Sequence, residues 1–140
     1  MGSVSESDLL EERIVGIRRR DRRFASQAYY FLLDALDYTM SRLGKDALTG
    51  EERHVGGREL LLCIQDYAAD QFGPMAQFVF ERWGVRSSED FGEIVFNLID
   101  AELLSRRAND SRLDFADGFD FASTFREKHR QALERIATRT

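Results

Sequence analysis

The chain has 140 residues, of which 43% are hydrophobic and one is proline, so it can bury a core without disulfides or metal ions, and one domain over residues 1–140 is expected. Its net charge of −5 argues against a protein that coats nucleic acid, and no apolar run reaches the ~18 residues of a membrane span. The lone Cys63 and the absence of a secretory pattern at the N-terminus favour a soluble, cytoplasmic protein.

The first predicted helix is short and ends in a run of arginines. Residues 1–7 are polar and are expected to form a flexible tail, after which apolar residues recur at helical spacing from Leu9 to Ile17. The run that follows is a candidate nucleic-acid patch and consists of Arg18, Arg19, Arg20, Arg22 and Arg23. The alternative is a solvated helix end, because cations complement the negative end of a helix dipole and pair with carboxylates such as Asp21.

Three helices are predicted next, over residues 24–43, 58–72 and 74–83, and a glycine follows each of them as a stop signal. The buried face of the third is assigned to Met75, Ala76, Phe78, Val79 and Trp83. The loop between the first two contains His54, but no nucleophile and acid around it form a recognisable triad. Cys63 borders a buried helix face and is interpreted as a small core residue.

The stretch over residues 83–100 is predicted to be a sharp turn that leads into a helix packed on two sides. Ser87 can cap this helix, with Asp90 three residues later as the partner in a capping box. Two apolar stripes lie side by side, and they consist of Phe91, Ile94, Val95 and Leu98, and of Gly92, Phe96, Ile99 and Leu103. A glycine in a helix interior also predicts that another helix crosses closely at Gly92.

The remaining face of this helix is acidic or polar, and it is the candidate interaction surface. It consists of Glu89, Glu93, Asn97 and Asp100. Residues 87–103 contain no Lys or Arg, so this helix is poorly suited to contact the phosphates of a duplex.

A small β-hairpin is predicted after this helix, with brief strands at residues 104–107 and 112–115 around a turn at 108–111. A charged helix follows over about residues 123–137, with a thin apolar edge of Phe125, Leu133 and Ile136. The predicted fold class is therefore mainly α with a small β-hairpin (α+β). The order of elements over residues 58–121 predicts a winged-helix-like unit in the C-terminal half.

Four aspartates in the hairpin region raise the possibility of a calcium site, and they are Asp110, Asp114, Asp117 and Asp120. An EF-hand loop needs oxygen ligands before its glycine, whereas Leu113 and Phe115 occupy two of those positions before Gly118. We therefore interpret Asp117 and Gly118 as turn residues. Asp114 and Asp120 are expected to pair with arginines such as Arg86, Arg106 or Arg112. No zinc spacing, phosphate-binding loop or nucleophile elbow is present, so no metal, cofactor or catalytic residue is predicted.

Several segments resemble a family of hypothetical proteins shared mainly by planctomycetes and verrucomicrobia. The resemblance covers about residues 18–125 and is carried by residues 35–39 (ALDYT), 71–76 (QFGPMA), 83–100 and 110–117 (DSRLDFAD). It implies a bacterial cytoplasmic protein and brings no established activity or catalytic residue with it.

Two functions of different classes, and an enzyme as a third possibility, remain open at this point. The first is a non-enzymatic protein-interaction or regulatory module that meets a protein partner, or a second copy, through the acidic helix face. The alternative is a nucleic-acid-associated regulator that uses the arginine run and the basic C-terminal residues Arg126, Lys128, Arg130 and Arg135. An enzyme with a site built from distant residues would leave no motif in the sequence.

Overall fold

The computed structural model describes residues 5–105 and 111–138, and every regular element within these ranges is helical. The α-helices are α1 (Glu6–Arg20), α2 (Ser26–Arg42), α3 (Gly57–Phe72), α4 (Ala76–Arg82), α5 (Ser88–Asp100) and α6 (Phe121–Thr138). Single 3-10 turns lie at Gly50–Arg53, Gly73–Met75 and Arg112–Phe115. No helix of the described residues is long and apolar enough to cross a membrane. Because α1 begins at Glu6, Glu6 and Ser7 belong to a helix and not to the tail predicted for residues 1–7.

The predicted β-hairpin, and with it the winged-helix-like unit over residues 58–121, is wrong. Residues 112–115 form a 3-10 turn where the second strand was expected, and most of the other strand and the turn lies at residues 106–110, outside the described residues. Local capping explains the turn: the Ser111 hydroxyl accepts the Leu113 N–H, and the Asp114 carboxylate accepts the Ser111 N–H. The fold class of the described residues is therefore all-α rather than α+β.

Phe80 of α4 lies at the centre of the core. Its ring centroid is 5.2 Å from those of both Phe31 and Phe91, and 5.5 Å from that of Phe121. The sequence assigned Met75 and Phe78 to the buried face of α4, but both are more than half exposed, whereas Phe80 is fully buried. Ala76, which was assigned to the same face, is fully buried, so α4 faces the core with Ala76 and Phe80 and not with Met75 and Phe78.

The turn between α4 and α5 packs directly against the segment between α1 and α2. We call residues 21–25 the arm and residues 83–87 the corner. The Ala25 N–H donates to the Trp83 carbonyl at 3.0 Å, and a Cβ added to Gly84 would lie 2.1 Å from the Arg23 carbonyl oxygen. Gly84 has φ +87°, which favours glycine, so both its conformation and its surroundings require this residue.

α5 is packed on two sides, as its two apolar stripes predicted. Phe91, Ile94, Phe96 and Leu98 are buried, and α5 contacts α1, α2 and the 3-10 turn at Arg112–Phe115. The close approach at Gly92 is made by the Phe115 side chain of the 3-10 turn and not by a crossing α-helix, because a Cβ on Gly92 would lie 2.9 Å from the Phe115 Cβ. Ser87 is the N-cap residue, but its side chain does not cap the helix; Asp90 accepts the Arg86 N–H at 2.8 Å, so the predicted capping box is not formed.

Candidate functional site

The polar face of α5, predicted as the interaction surface, is mostly bound to other parts of the same chain. Glu89 accepts the Asp117 N–H at 2.7 Å, and this bond lowers the pKa of the Glu89 carboxyl. Asn97 and Glu93 contact the arm, as described below. Asp100 is exposed and forms no hydrogen bond or ion pair within the part of the chain that the structure describes. The surface open to a partner at this face is therefore much smaller than the sequence indicated.

Asp21 of the arm is the centre of a polar network that joins the arm to α5. Its carboxylate accepts from the Arg23 guanidinium at 2.6 Å and from the Asn97 amide at 3.0 Å, and Asn97 also donates to the Tyr29 hydroxyl at 3.0 Å. The hydrogen bonds from Arg23 hold the pKa of the Asp21 carboxyl well below its usual range, while burial raises the pKa of Tyr29. The network fixes the arm against α5.

Glu93 connects the same network to the 3-10 turn after α5. Its two carboxylate oxygens lie 3.5 Å from the Arg23 guanidinium and 3.3 Å from that of Arg112, and Arg112 also lies over the Phe96 ring at 4.5 Å from its centroid. The structure therefore brings one member of the predicted nucleic-acid patch, Arg23, onto the predicted interaction surface. Glu93 and Arg23 partly neutralise each other.

The rest of the arginine run lies just before the junction of arm and corner in the chain. The Arg18 Nε donates to the Phe24 carbonyl at 3.0 Å, which directs Arg18 toward the arm. Arg19, Arg20 and Arg22 are exposed and form no ion pair among the described residues. Arg82 precedes the corner and Arg86 belongs to it; both are exposed and have no carboxylate within ion-pair distance in the described ranges. Nothing in the sequence groups Arg82 and Arg86 with the arginine run, because only the fold brings the corner to the arm.

The basic residues of α6 have partners of their own. Lys128 bonds to Asp66 of α3 at 2.6 Å, and Arg130 pairs with Glu127 and Glu134 of the same helix. Arg126 and Arg135 are exposed, and no hydrogen bond or ion pair within residues 5–105 and 111–138 joins them to the arginines of the arm or corner. These contacts give no support for one continuous basic surface built from both ends of the chain.

α6 carries an apolar edge that loses its contacts toward the end of the helix. Phe121 and Phe125 are buried against the core, but every residue from 133 to 138 is exposed. α6 packs beside the 3-10 turn at Gly73–Met75 and beside α4. Four large apolar side chains on these neighbouring elements are 52–61% exposed, and they are Met75, Phe78, Leu133 and Ile136. The sequence predicted the apolar edge of α6 but not the exposure of Met75 and Phe78.

The aspartates of the predicted turn region act as local hydrogen-bond acceptors. Asp114 caps the 3-10 turn, and Asp120 accepts from the Ser123 N–H and hydroxyl, which lowers the pKa of Asp120. Pairing of these carboxylates with Arg86 or Arg112 is not observed; Asp110 and Arg106 lie outside the described residues. No group of three or more His, Cys, Asp and Glu side chains in the described ranges could hold a metal ion.

Comparison of the chain with protein-family models, with curated proteins and with solved structures finds no match. The resemblance to hypothetical proteins of planctomycetes and verrucomicrobia therefore stays an expectation from the sequence.

Proposed function

We propose that the protein is an interaction module that docks onto another protein through exposed apolar side chains of α6, of α4 and of the turn before α4. The observation that carries this proposal is the exposure of Met75, Phe78, Leu133 and Ile136 on elements that pack side by side. Exposed apolar side chains are ordinary when they are scattered, but a group on neighbouring elements is typical of a docking surface. The docking surface is defined by these four residues.

The size of the docking surface indicates a weak or transient complex. Full burial of one such side chain is worth about 1.5–3 kcal/mol, so four half-exposed side chains contribute roughly 3–6 kcal/mol. A Kd of about 1 μM corresponds to a binding free energy of about 8 kcal/mol, which is more than this contribution. The two molecules also lose translational and rotational freedom when they associate, and this loss lowers the affinity further. The partner must therefore contact α6 on more than one side, as a groove does when it receives a helix.

The charges beside the apolar edge favour a partner with an acidic rim over a second copy of this chain. Arg135 precedes Ile136 and lies about 100° around the helix from it. Its guanidinium has no ion pair among the described residues. When two α6 helices pair in antiparallel orientation, residues beside the apolar edge of one helix face the same residues of the other. Arg135 would therefore face the Arg135 of the second copy. A carboxylate on the partner removes this repulsion.

The proposal is tested by locating the contact and then measuring it. A photo-reactive phenylalanine analogue replaces Leu133, or Gln131 as a control on the opposite face, and cross-linked proteins are recovered from cells that express the chain. The recovered protein is then purified and titrated by calorimetry against the wild type, Leu133→Ser with Ile136→Ser, and the matched pair Gln131→Ser with Glu134→Ser.

The first pair should weaken binding by about 10- to 150-fold, because two apolar anchors worth about 1.5–3 kcal/mol are lost, while the second pair should change it less than about threefold. Equal cross-linking from both positions, or equal affinity of both pairs, would contradict the proposal. So would a concentration-dependent dimer in light scattering that the first pair abolishes, because the occupant would then be a second copy.

A further inference from the structure

We infer that the arginines around the junction of arm and corner bind the phosphate backbone of a nucleic acid. This inference does not depend on the docking surface, with which the site shares no residue. Its members come from the end of α1, from the arm and from the corner, and they are Arg18, Arg19, Arg20, Arg22, Arg82 and Arg86, which we call the arginine cluster.

Two backbone contacts bring these segments together. The Ala25 N–H bonds to the Trp83 carbonyl at 3.0 Å, and Gly84 lies against the Arg23 carbonyl. Arg22 lies one residue from this junction, and Arg82 and Arg86 each lie two residues from Gly84. Because adjacent Cα atoms are about 3.8 Å apart, the backbone of all three arginines lies close to the junction. Arginines that are about 60 positions apart in the sequence thus lie within a few residues of one junction.

Helix dipoles account for only part of this cluster. Arg18, Arg19 and Arg20 are in the last turn of α1, and Arg82 is in the last turn of α4, where cations complement the helix dipole. Arg22 and Arg86 lie outside both helices. They therefore add positive charge that helix stability does not require.

Two carboxylates near the cluster are ion-paired, since Asp21 is held by Arg23 and Asn97, and Glu93 lies between Arg23 and Arg112. Asp90 accepts the neutral Arg86 N–H and Glu81 accepts from the neutral Gln77 amide, so these two carboxylates keep their charge. The six arginines of the cluster outnumber them, so the cluster carries local positive charge on a chain whose net charge is −5.

The lack of apolar anchors favours nucleic acid over a protein or a membrane. Protein interfaces have an apolar centre, and peripheral membrane sites insert apolar side chains. None of the exposed large hydrophobic residues in the described ranges lies within residues 18–25 or 82–86. Contacts to a phosphate backbone need only cations, and the arginine fork binds phosphate through two parallel hydrogen bonds.

The inference is tested by fluorescence anisotropy with labelled DNA of scrambled sequence, single-stranded and duplex, about 20 nucleotides long. The full chain is titrated between about 50 and 200 mM salt. Two double variants remove equal charge: Arg22→Gln with Arg86→Gln inside the cluster, and Arg42→Gln with Arg126→Gln outside it. Circular dichroism checks that both variants are folded.

The wild type should bind at low salt and lose affinity steeply as salt rises. If four phosphates are contacted, the loss over this range is about 100-fold for duplex. The cluster variant should bind at least about tenfold more weakly, with a salt slope smaller by about two, and the outside variant should resemble the wild type.

Three results would overturn the inference. They are no binding to either DNA at about 50 mM salt, equal weakening in the two variants, and binding to anionic phospholipid vesicles or to inorganic polyphosphate without binding to DNA. None of these results bears on the α6 proposal, since the docking variants leave the cluster intact.

Discussion

Replacing Gly84 by alanine tests whether the corner depends on its close contact with the arm, and Gly44 supplies a matched control. Gly84 (φ +87°) and Gly44 (φ +70°) have the same place in the same helix-ending motif. The residue after each glycine donates its N–H to the carbonyl five positions earlier: Val85 to Phe80 at 2.8 Å, and Lys45 to Met40 at 2.7 Å. The two sites differ in their surroundings, because nothing lies within 4 Å of a Cβ on Gly44.

Both alanine variants place a side chain in the left-handed region, which costs about 1 kcal/mol. At Gly84 the new Cβ would also lie 2.1 Å from the Arg23 carbonyl oxygen, so the arm and the corner must separate. Separation breaks the hydrogen bond from Ala25 to Trp83, worth about 1 kcal/mol, and exposes part of the fully buried Phe24, worth another 1–2 kcal/mol or so.

Gly84→Ala should therefore destabilise the protein by about 3–4 kcal/mol and Gly44→Ala by about 1 kcal/mol. Urea unfolding followed by circular dichroism measures both, and the difference corresponds to roughly 10 °C in Tm. If the two variants lose the same stability, the arm moves without loss of packing and the reasoning about this junction fails.

Three further predictions concern buried and paired polar groups. Ser88→Ala should lower the free energy of unfolding by about 1–3 kcal/mol, because the buried Ser88 hydroxyl donates to the Phe115 carbonyl and accepts the Gly118 N–H; an unchanged urea midpoint would contradict this. Asp21→Asn should destabilise the protein at pH 7 by about 1–3 kcal/mol. A carboxyl whose pKa is lower in the folded state stabilises the protein at pH values above its ordinary pKa of 3.8, and this stabilisation is lost as the pH falls. The difference in unfolding free energy between Asp21→Asn and the wild type should therefore shrink between pH 5 and pH 2, and a constant difference would refute the assignment. Glu93→Gln should strengthen DNA binding in the anisotropy assay severalfold, because it removes the carboxylate between Arg23 and Arg112 beside the arginine cluster; weaker binding would show that Glu93 positions the cluster instead.

The sequence predicted the helices well because their apolar periodicity is regular and glycines mark their ends. It failed in part at α4, where it assigned Ala76 correctly to the buried face but also placed Met75 and Phe78 there and left out Phe80. Met75 and Phe78 form one apolar pair, and Ala76 and Phe80 form the other. Both pairs have helical spacing, so periodicity alone could not select the buried side. The aromatic rings that surround Phe80 come from α2, α3, α5 and α6, and only the assembled fold decides that Phe80 lies at the centre.

The missing hairpin shows how a local signal can be overlooked. Leu113 and Phe115 alternate with charged residues, as the residues of a half-buried strand do. The same segment also contains Ser111 and Asp114 at capping-box spacing, and these two residues form the 3-10 turn that the structure contains. Over four residues an alternating pattern is a weak signal, because one buried and one exposed apolar residue fit a turn equally well.

The polar face of α5 could not have been interpreted from the sequence, because its partners lie about 70 residues away. Asn97 and Glu93 look like solvent-facing residues when only their own helix is considered, yet the arm supplies Asp21 and Arg23 to them. These contacts also explain how a chain with a net charge of −5 can hold a basic cluster. Carboxylates at the junction are bound to Arg23, Asn97 and Arg112, and Arg22 and Arg86 remain without such partners among the described residues. The charge that a ligand meets at the junction is therefore set by which arginines α5 neutralises, and net charge alone is a poor guide to the partners of this protein.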